Sequence, residues 1–148
     1  MKKLVNGVEV DMTPEEVIAF EAARTPTLPQ ARKLMRERIA ARRVKAEQGG
    51  FLYLTARYDS DGNSLARLAV LASRAKTAKA NNETVSVTLI AADDTQSQFN
   101  ANELIALEVS AGDHFIACSA NAKTLRQAVN QAVDVAAVLA VDLEVGWP

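Results

Sequence analysis

Residues 84–107 read TVSVTLIAADDTQSQFNANELIAL, and this stretch decides the fold. Thr84 to Ile90 alternates, with Val85, Val87 and Leu89 on one side, which predicts a half-buried strand. Asp93-Asp94 turns the chain, and Gln96 to Phe99 returns as an antiparallel partner. The period then switches from two to three and four. Asn100 is placed as an N-cap with Glu103 at N3, the reciprocal pairing of a capping box. Leu104, Leu107, Ala111, Phe115, Cys118, Ala122, Leu125, Val129 and Ala132 follow at helical spacing. A hairpin feeding directly into a long helix commits the chain to the α+β class.

Working back from that stretch, Ser64 to Ala80 predicts a helix packed through Leu65, Leu68, Ala72 and Ala75, with Asn81-Asn82 stopping it. Asp59-Ser60-Asp61-Gly62-Asn63 is a turn that also offers this helix its N-caps, and Phe51 to Tyr58 reads as one strand. The expectation is a compact β-α-β-β-α body over residues 51–148, with a small, largely antiparallel, three-stranded sheet and two helices on one face. Val133 to Val141 is open between more helix, a second short helix and a strand.

Ahead of the body, residues 29–50 predict a long basic helix that connects it to the arm, without internal glycine or proline and ended by Gly49-Gly50. Its apolar stripe is narrow: Leu28, Ala31, Met35 and Ile39. Thr25-Pro26-Thr27-Leu28-Pro29 breaks the chain into a hinge. Residues 1–28 form an N-terminal arm: a hairpin around Asn6-Gly7, suited to a type I′ turn, then a short helix to Arg24. Thr13, Pro14 and Glu16 supply that helix with a cap, an N1 proline and a capping-box partner.

The totals fit this plan. In 148 residues, 49% are hydrophobic but only 5% aromatic, so helices pack closely through small side chains. The net charge of −1 announces neither a nucleic-acid nor a membrane partner. The charge is unevenly spread, however. Residues 29–48 carry seven basic and two acidic side chains, and residues 81–148 carry nine acidic and two basic, so these regions could attract each other within one chain or between copies. Cys118 is the only cysteine, which excludes an internal disulfide. No apolar run approaches the ~20 residues of a membrane span, and Asn6, Glu9 and Asp11 interrupt any secretory signal after Met1-Lys2-Lys3.

No residue pattern points to catalysis. His114 is the only histidine, and with Cys118 at i+4 it falls on the packed face of the long helix, so core packing outweighs a catalytic or metal role. Asp59-Ser60-Asp61-Gly62-Asn63-Ser64 fails as a calcium loop, because Ser64 stands where glycine is needed and Val70 where glutamate is needed. Asp93 and Asp94 are adjacent and suit a turn rather than paired acid–base work. Phosphate-loop and nucleophile-elbow motifs are absent. The expectation is a non-enzyme with no catalytic residue, no metal and no cofactor.

The features suited to binding are the arginines Arg32, Arg36, Arg38, Arg42 and Arg43 of the basic helix, and Trp147 near the chain's end. A basic helix without interleaved aromatics is a solvated face, a protein-docking face or an inter-subunit contact, with nucleic acid a weaker reading. Trp147 is large enough to be an anchor, either in its own core or in a neighbour.

Four blocks together resemble an uncharacterised small domain found in tail gene clusters of tailed phages and prophages. They are Val5-Asn6-Gly7 with Met12-Thr13-Pro14-Glu15-Glu16; the basic helix running through glycines into Tyr58-Asp59-Ser60-Asp61; Asp93-Asp94 with Phe99-Asn100-Ala101-Asn102-Glu103-Leu104 and the helix bearing His114; and Gly146-Trp147-Pro148. The resemblance covers most of the chain from about Leu34. It implies a tail-fibre or baseplate accessory subunit, assembled in the host cytoplasm and then part of the virion tail. Its partners would be a tail protein of the same phage and further copies of itself, with no membrane. A fibre-assembly chaperone absent from the finished particle is the alternative it also allows.

Overall fold

The computed structural model describes residues 1–5 and 7–148, the side chains of Ala22 and Ala23 excepted. It is α+β, and helix dominates. The elements run β1 (Lys2–Val5), β2 (Val8–Asp11), α1 (Pro14–Arg24), α2 (Leu28–Glu47), β3 (Phe51–Tyr53), β4 (Ala56–Tyr58), α3 (Gly62–Ala80), β5 (Ser86–Ile90), β6 (Gln96–Asn100), α4 (Ala101–Gln131) and α5 (Val135–Leu139). The last of these resolves the open segment as a second short helix.

The strands pair only as three separate antiparallel hairpins, β1-β2, β3-β4 and β5-β6, rather than as one three-stranded sheet. The reason lies in residues 51–58. The expected single strand folds back on itself, with Phe51 opposite Tyr58 and Tyr53 opposite Ala56. Leu54 takes φ +55° at the turn. Ser60 and Gly50 hold the hairpin's base: buried Ser60 donates to Glu47 O and accepts from the Gly50 N–H at 2.8 Å. Gly50 sits at φ +83°, and a Cβ there would lie 2.9 Å from Tyr58 O, so only glycine fits.

Helix α4 is the spine. Its 31 residues span about 46 Å and serve two cores in succession. Asn100 caps it as expected: its side chain accepts from the Asn102 and Glu103 N–H groups while Glu103 accepts from the Asn100 N–H. The first core joins Leu104, Leu107 and Ala111 of α4 to Phe51, Tyr58, Leu68, Ala75 and Phe99. The second joins Ala122, Leu125 and Val129 to Ala31, Met35 and Ile39 of α2 and Val138 of α5. Helix α2 is therefore a packed member of the body and not a stem connecting it to the arm.

The arm is formed as read from Val8 onward and from Lys2 to Val5; Asn6 of the expected turn lies outside the described residues. Thr13 and Glu16 make the full capping box, and Lys3 bonds Glu16, tying the hairpin to α1. Among the described residues, none before Leu28 belongs to either core.

Candidate functional site

Three arginines of α2, Arg32, Arg36 and Arg42, contact the C-terminal third of the chain. Arg32 Nη2 donates to Ala132 O at 2.9 Å, at the end of α4, and Arg36 Nη2 donates to Asn130 Oδ1 at 2.6 Å. Arg42 Nε donates to Glu144 Oε2 at 2.8 Å, and its guanidinium lies 5.3 Å from the centre of the Trp147 ring. Arg43 Nε approaches Glu47 Oε1 at 3.4 Å within α2, without hydrogen-bond alignment. Arg38 alone of the five is an exposed side chain in none of these contacts. Of the attraction expected between the two regions, one ion pair forms within the chain, Arg42 with Glu144; Arg32 and Arg36 instead bond neutral acceptors at the end of α4.

Trp147 is anchored on its own chain. It packs half-buried against the second core, and its Nε1 donates to Leu143 O at 2.8 Å. The tail is held on the other side by Asn121, whose Nδ2 donates to Val145 O at 2.9 Å. Gly146 turns there at φ +79°, where a Cβ would meet Asn121 Oδ1 at 2.6 Å. Of the six residues proposed for partner binding, five are engaged intramolecularly. Arg42 and Trp147, with Glu144, form a clasp between α2 and the tail.

His114, not Phe115, fills the buried position at the middle of α4. Its Nε2 lies 3.0 Å from Ala46 O, near the C-terminus of α2, where orphan carbonyls need donors. Cys118 Sγ is 3.7 Å from the same nitrogen and is fully buried. Burial pushes the Cys118 thiol above its ordinary pKa, with the Glu47 carboxylate adding to the effect, which leaves it a poor nucleophile. This is a packed joint between α2 and α4. Asp61 caps α3 and Asp93 bonds the Thr95 N–H at 3.0 Å, so both acidic loops are turns. Among the described residues, no group of three or more His, Cys, Asp or Glu could hold a metal ion, and no helix is long and apolar enough to cross a membrane.

Two further surfaces are open: the arm, a hairpin expected from the sequence to need a partner surface, and a cleft that the sequence did not reveal. The arm exposes Leu4, Val5, Val8, Val10, Ile18 and Phe20. A cleft also opens between β5 and α3, described below. For the arm the signal was that a two-stranded hairpin is marginal alone. For the cleft only the uncharged run of β5 hinted at it.

These features define a small α+β chain with two stacked cores on one helical spine, a clasped tail and an unpacked arm. The chain belongs to the family described as domain of unknown function DUF4376, whose model matches residues 30–145. That match begins inside α2, leaves the arm outside, and includes Arg42 and Glu144 but stops short of Trp147. No curated protein and no solved structure matches the chain at a significant level.

Proposed function

We propose that this chain is a non-enzymatic accessory subunit of a phage tail, bound to a tail-fibre or baseplate protein by protein–protein contact through its N-terminal arm. The resemblance of its sequence blocks supplies the setting. The observation that carries the binding mode is the arm itself: an ordered hairpin and helix whose apolar side chains, Leu4, Val8, Ile18 and Phe20 among them, join neither core. Apolar groups left in water on a structured element are suited to burial against a partner. Nucleic-acid binding through α2 is disfavoured, because Arg32, Arg36 and Arg42 already have hydrogen-bond partners in the chain. The test is mass spectrometry of purified, DNA-filled particles. A fixed ratio of this chain to the fibre protein is the expected result. Its confinement to the infected-cell lysate overturns the structural role in favour of an assembly chaperone, and its absence from tail complexes of either kind overturns the tail setting.

A further inference from the structure

A cleft of about 320 Å³ lies beside β5. Phe51, Leu68 and Leu107 are its apolar lining from below; Thr88, Leu89 and Ile90 form one wall, and Ser64 and Arg67 of α3 stand opposite. The backbone of β5 is open on this side. Ala91 N–H donates to Thr95 O at 2.9 Å, and Leu89 stands opposite Ser97, so the odd-numbered residues exchange bonds with β6. By the alternation of an antiparallel ladder, the peptide groups of Ser86, Thr88 and Ile90 face away from β6. Ala92 faces the same way and its N–H does find a partner, Arg57 O at 2.8 Å. Beyond that single bond β4 pairs only with β3, and the cleft occupies the gap, with Asp59 at its rim.

We propose that this cleft binds one extended peptide segment of a partner protein, which adds to the edge of β5, sets an apolar side chain on the Phe51–Leu68–Leu107 floor and places a carboxylate against Arg67. The inference does not rest on the phage-tail reading. Three observations carry it. First, Thr84 to Ile90 contains no charge, proline or glycine, the devices that ordinarily keep an edge strand from pairing. Second, Arg67 is exposed and takes part in none of the ion pairs among the described residues, so a rim cation is available to an acidic residue; Asp59 repels one at its own position and so fixes which way the acidic residue lies. Third, the cleft is bounded by the α3 side chains Ser64 and Arg67 as well as by β5, so an occupant of the β5 edge meets both. A lone extended segment needs less room there than the folded β5-β6 hairpin of a second copy. Main-chain bonds to Thr88 and Ile90 would supply affinity, and the floor and Arg67 would supply selectivity.

The test titrates the ¹⁵N-labelled full chain with acetylated, amidated hexapeptides of alternating valine and threonine in which one threonine is replaced by aspartate, lysine or serine. The expected result is saturable shifts centred on the Thr88 and Ile90 amides. Affinity should be highest for the aspartate peptide and fall about tenfold for it in R67A, as for a rim charge pair in partial solvent. Thr88→Pro should abolish binding while leaving the circular dichroism and melting unchanged, since an outward amide on an edge strand is where proline is tolerated. Should that variant misfold, a peptide N-methylated at alternate residues makes the same test on unaltered protein and should not bind. Absence of shifts at Thr88 and Ile90 with every peptide at millimolar concentration would overturn the proposal. So would binding that survives both N-methylation and R67A, or a dimer whose interface is the β5 edge.

Discussion

Arg42 gathers three contacts of unequal worth. Its ion pair with Glu144 is short, but Glu144 is largely in water, and exposed pairs contribute only ~0–1 kcal/mol. Its place over Trp147 is better shielded, because that ring packs on the second core, and a cation–π contact of this kind is worth ~0.5–1 kcal/mol. The ring itself also buries apolar surface. The expected order of destabilisation is therefore Trp147→Ala first, at ~1–2 kcal/mol, then Arg42→Ala at ~1 kcal/mol, then Glu144→Ala below ~0.5 kcal/mol. Denaturant unfolding of the three variants checks the order. Equal losses for Arg42→Ala and Glu144→Ala would mean that the ion pair, not the ring, holds the tail. A second residue is costly as it stands. Leu54 is exposed and sits in the left-handed region at φ +55° with no glycine or asparagine at the turn. L-residues other than glycine, asparagine and aspartate pay ~1–2 kcal/mol there, so Leu54→Asn should raise stability by up to ~1 kcal/mol in the same assay. An unchanged or lowered stability would show that Leu54 makes a compensating contact.

At the scale of elements, two helix starts and the β5–β6 turn are held by carboxylates whose protonation should lower stability in acid. The Ser64 hydroxyl and then its N–H hold the Asp61 carboxyl below its ordinary range; the Lys3 ammonium and then the Thr13 N–H do the same for Glu16, and Thr95 for Asp93. Each of these groups binds its proton less readily folded than unfolded. The stability they supply is therefore complete above the unfolded carboxylate pKa, about 4, and is lost as pH falls through that value towards the folded ones. The melting temperature should be flat from neutrality to about pH 5 and decline below about pH 4, and Asp61→Asn, which keeps a cap but removes a titrating group, should decline less steeply. A decline that begins near pH 6 would show that these carboxylates are not what limits stability in acid. These caps were legible because each is written within four residues: Thr13 with Glu16, Asn100 with Glu103. The same is true of β5 and β6, whose alternation is local. The hairpin at Leu54 was not, because nothing in Tyr53-Leu54-Thr55-Ala56 has turn chemistry and the fold-back is imposed by Ser60 and Gly50. His114 was legible as a packed residue, but the partial exposure of Phe115 beside it was not. Both lie at helical spacing from Ala111, and it is the α2 carbonyl of Ala46 that selects the imidazole. The partners of Arg32, Arg36 and Arg42 lie far away in sequence, so composition could show the attraction of opposite charges but not which atoms meet.

At the scale of the molecule, the packing divides the chain differently from the sequence. Proline and charge suggested an arm, a connector and a body. Instead α2 contributes Ala31, Met35 and Ile39 to the second core and its arginines to the clasp, so the body begins at Leu28 and the arm alone stands outside it. The family match from residue 30 falls close to the same boundary. Removal of residues 1–26 should then leave both cores, the Thr27–Gln30 cap and the clasp intact. The shortened chain should unfold cooperatively with a melting temperature within about 4 °C of the full chain, the shift that ~1 kcal/mol or less would cause. It should also keep the Trp147 emission of the full chain, since Trp147 and its Leu143 acceptor are untouched. Removal of four further residues would delete Leu28 and the α2 cap, and should cost markedly more. The two truncations separate the roles: if the shorter deletion already abolishes folding, the arm is part of the body and its exposed Ile18 and Phe20 need another explanation. If it folds but no longer joins tail complexes, while a quadruple change of Leu4, Val8, Ile18 and Phe20 to serine in the full chain has the same effect, assembly depends on the apolar surface of the arm and not merely on its length.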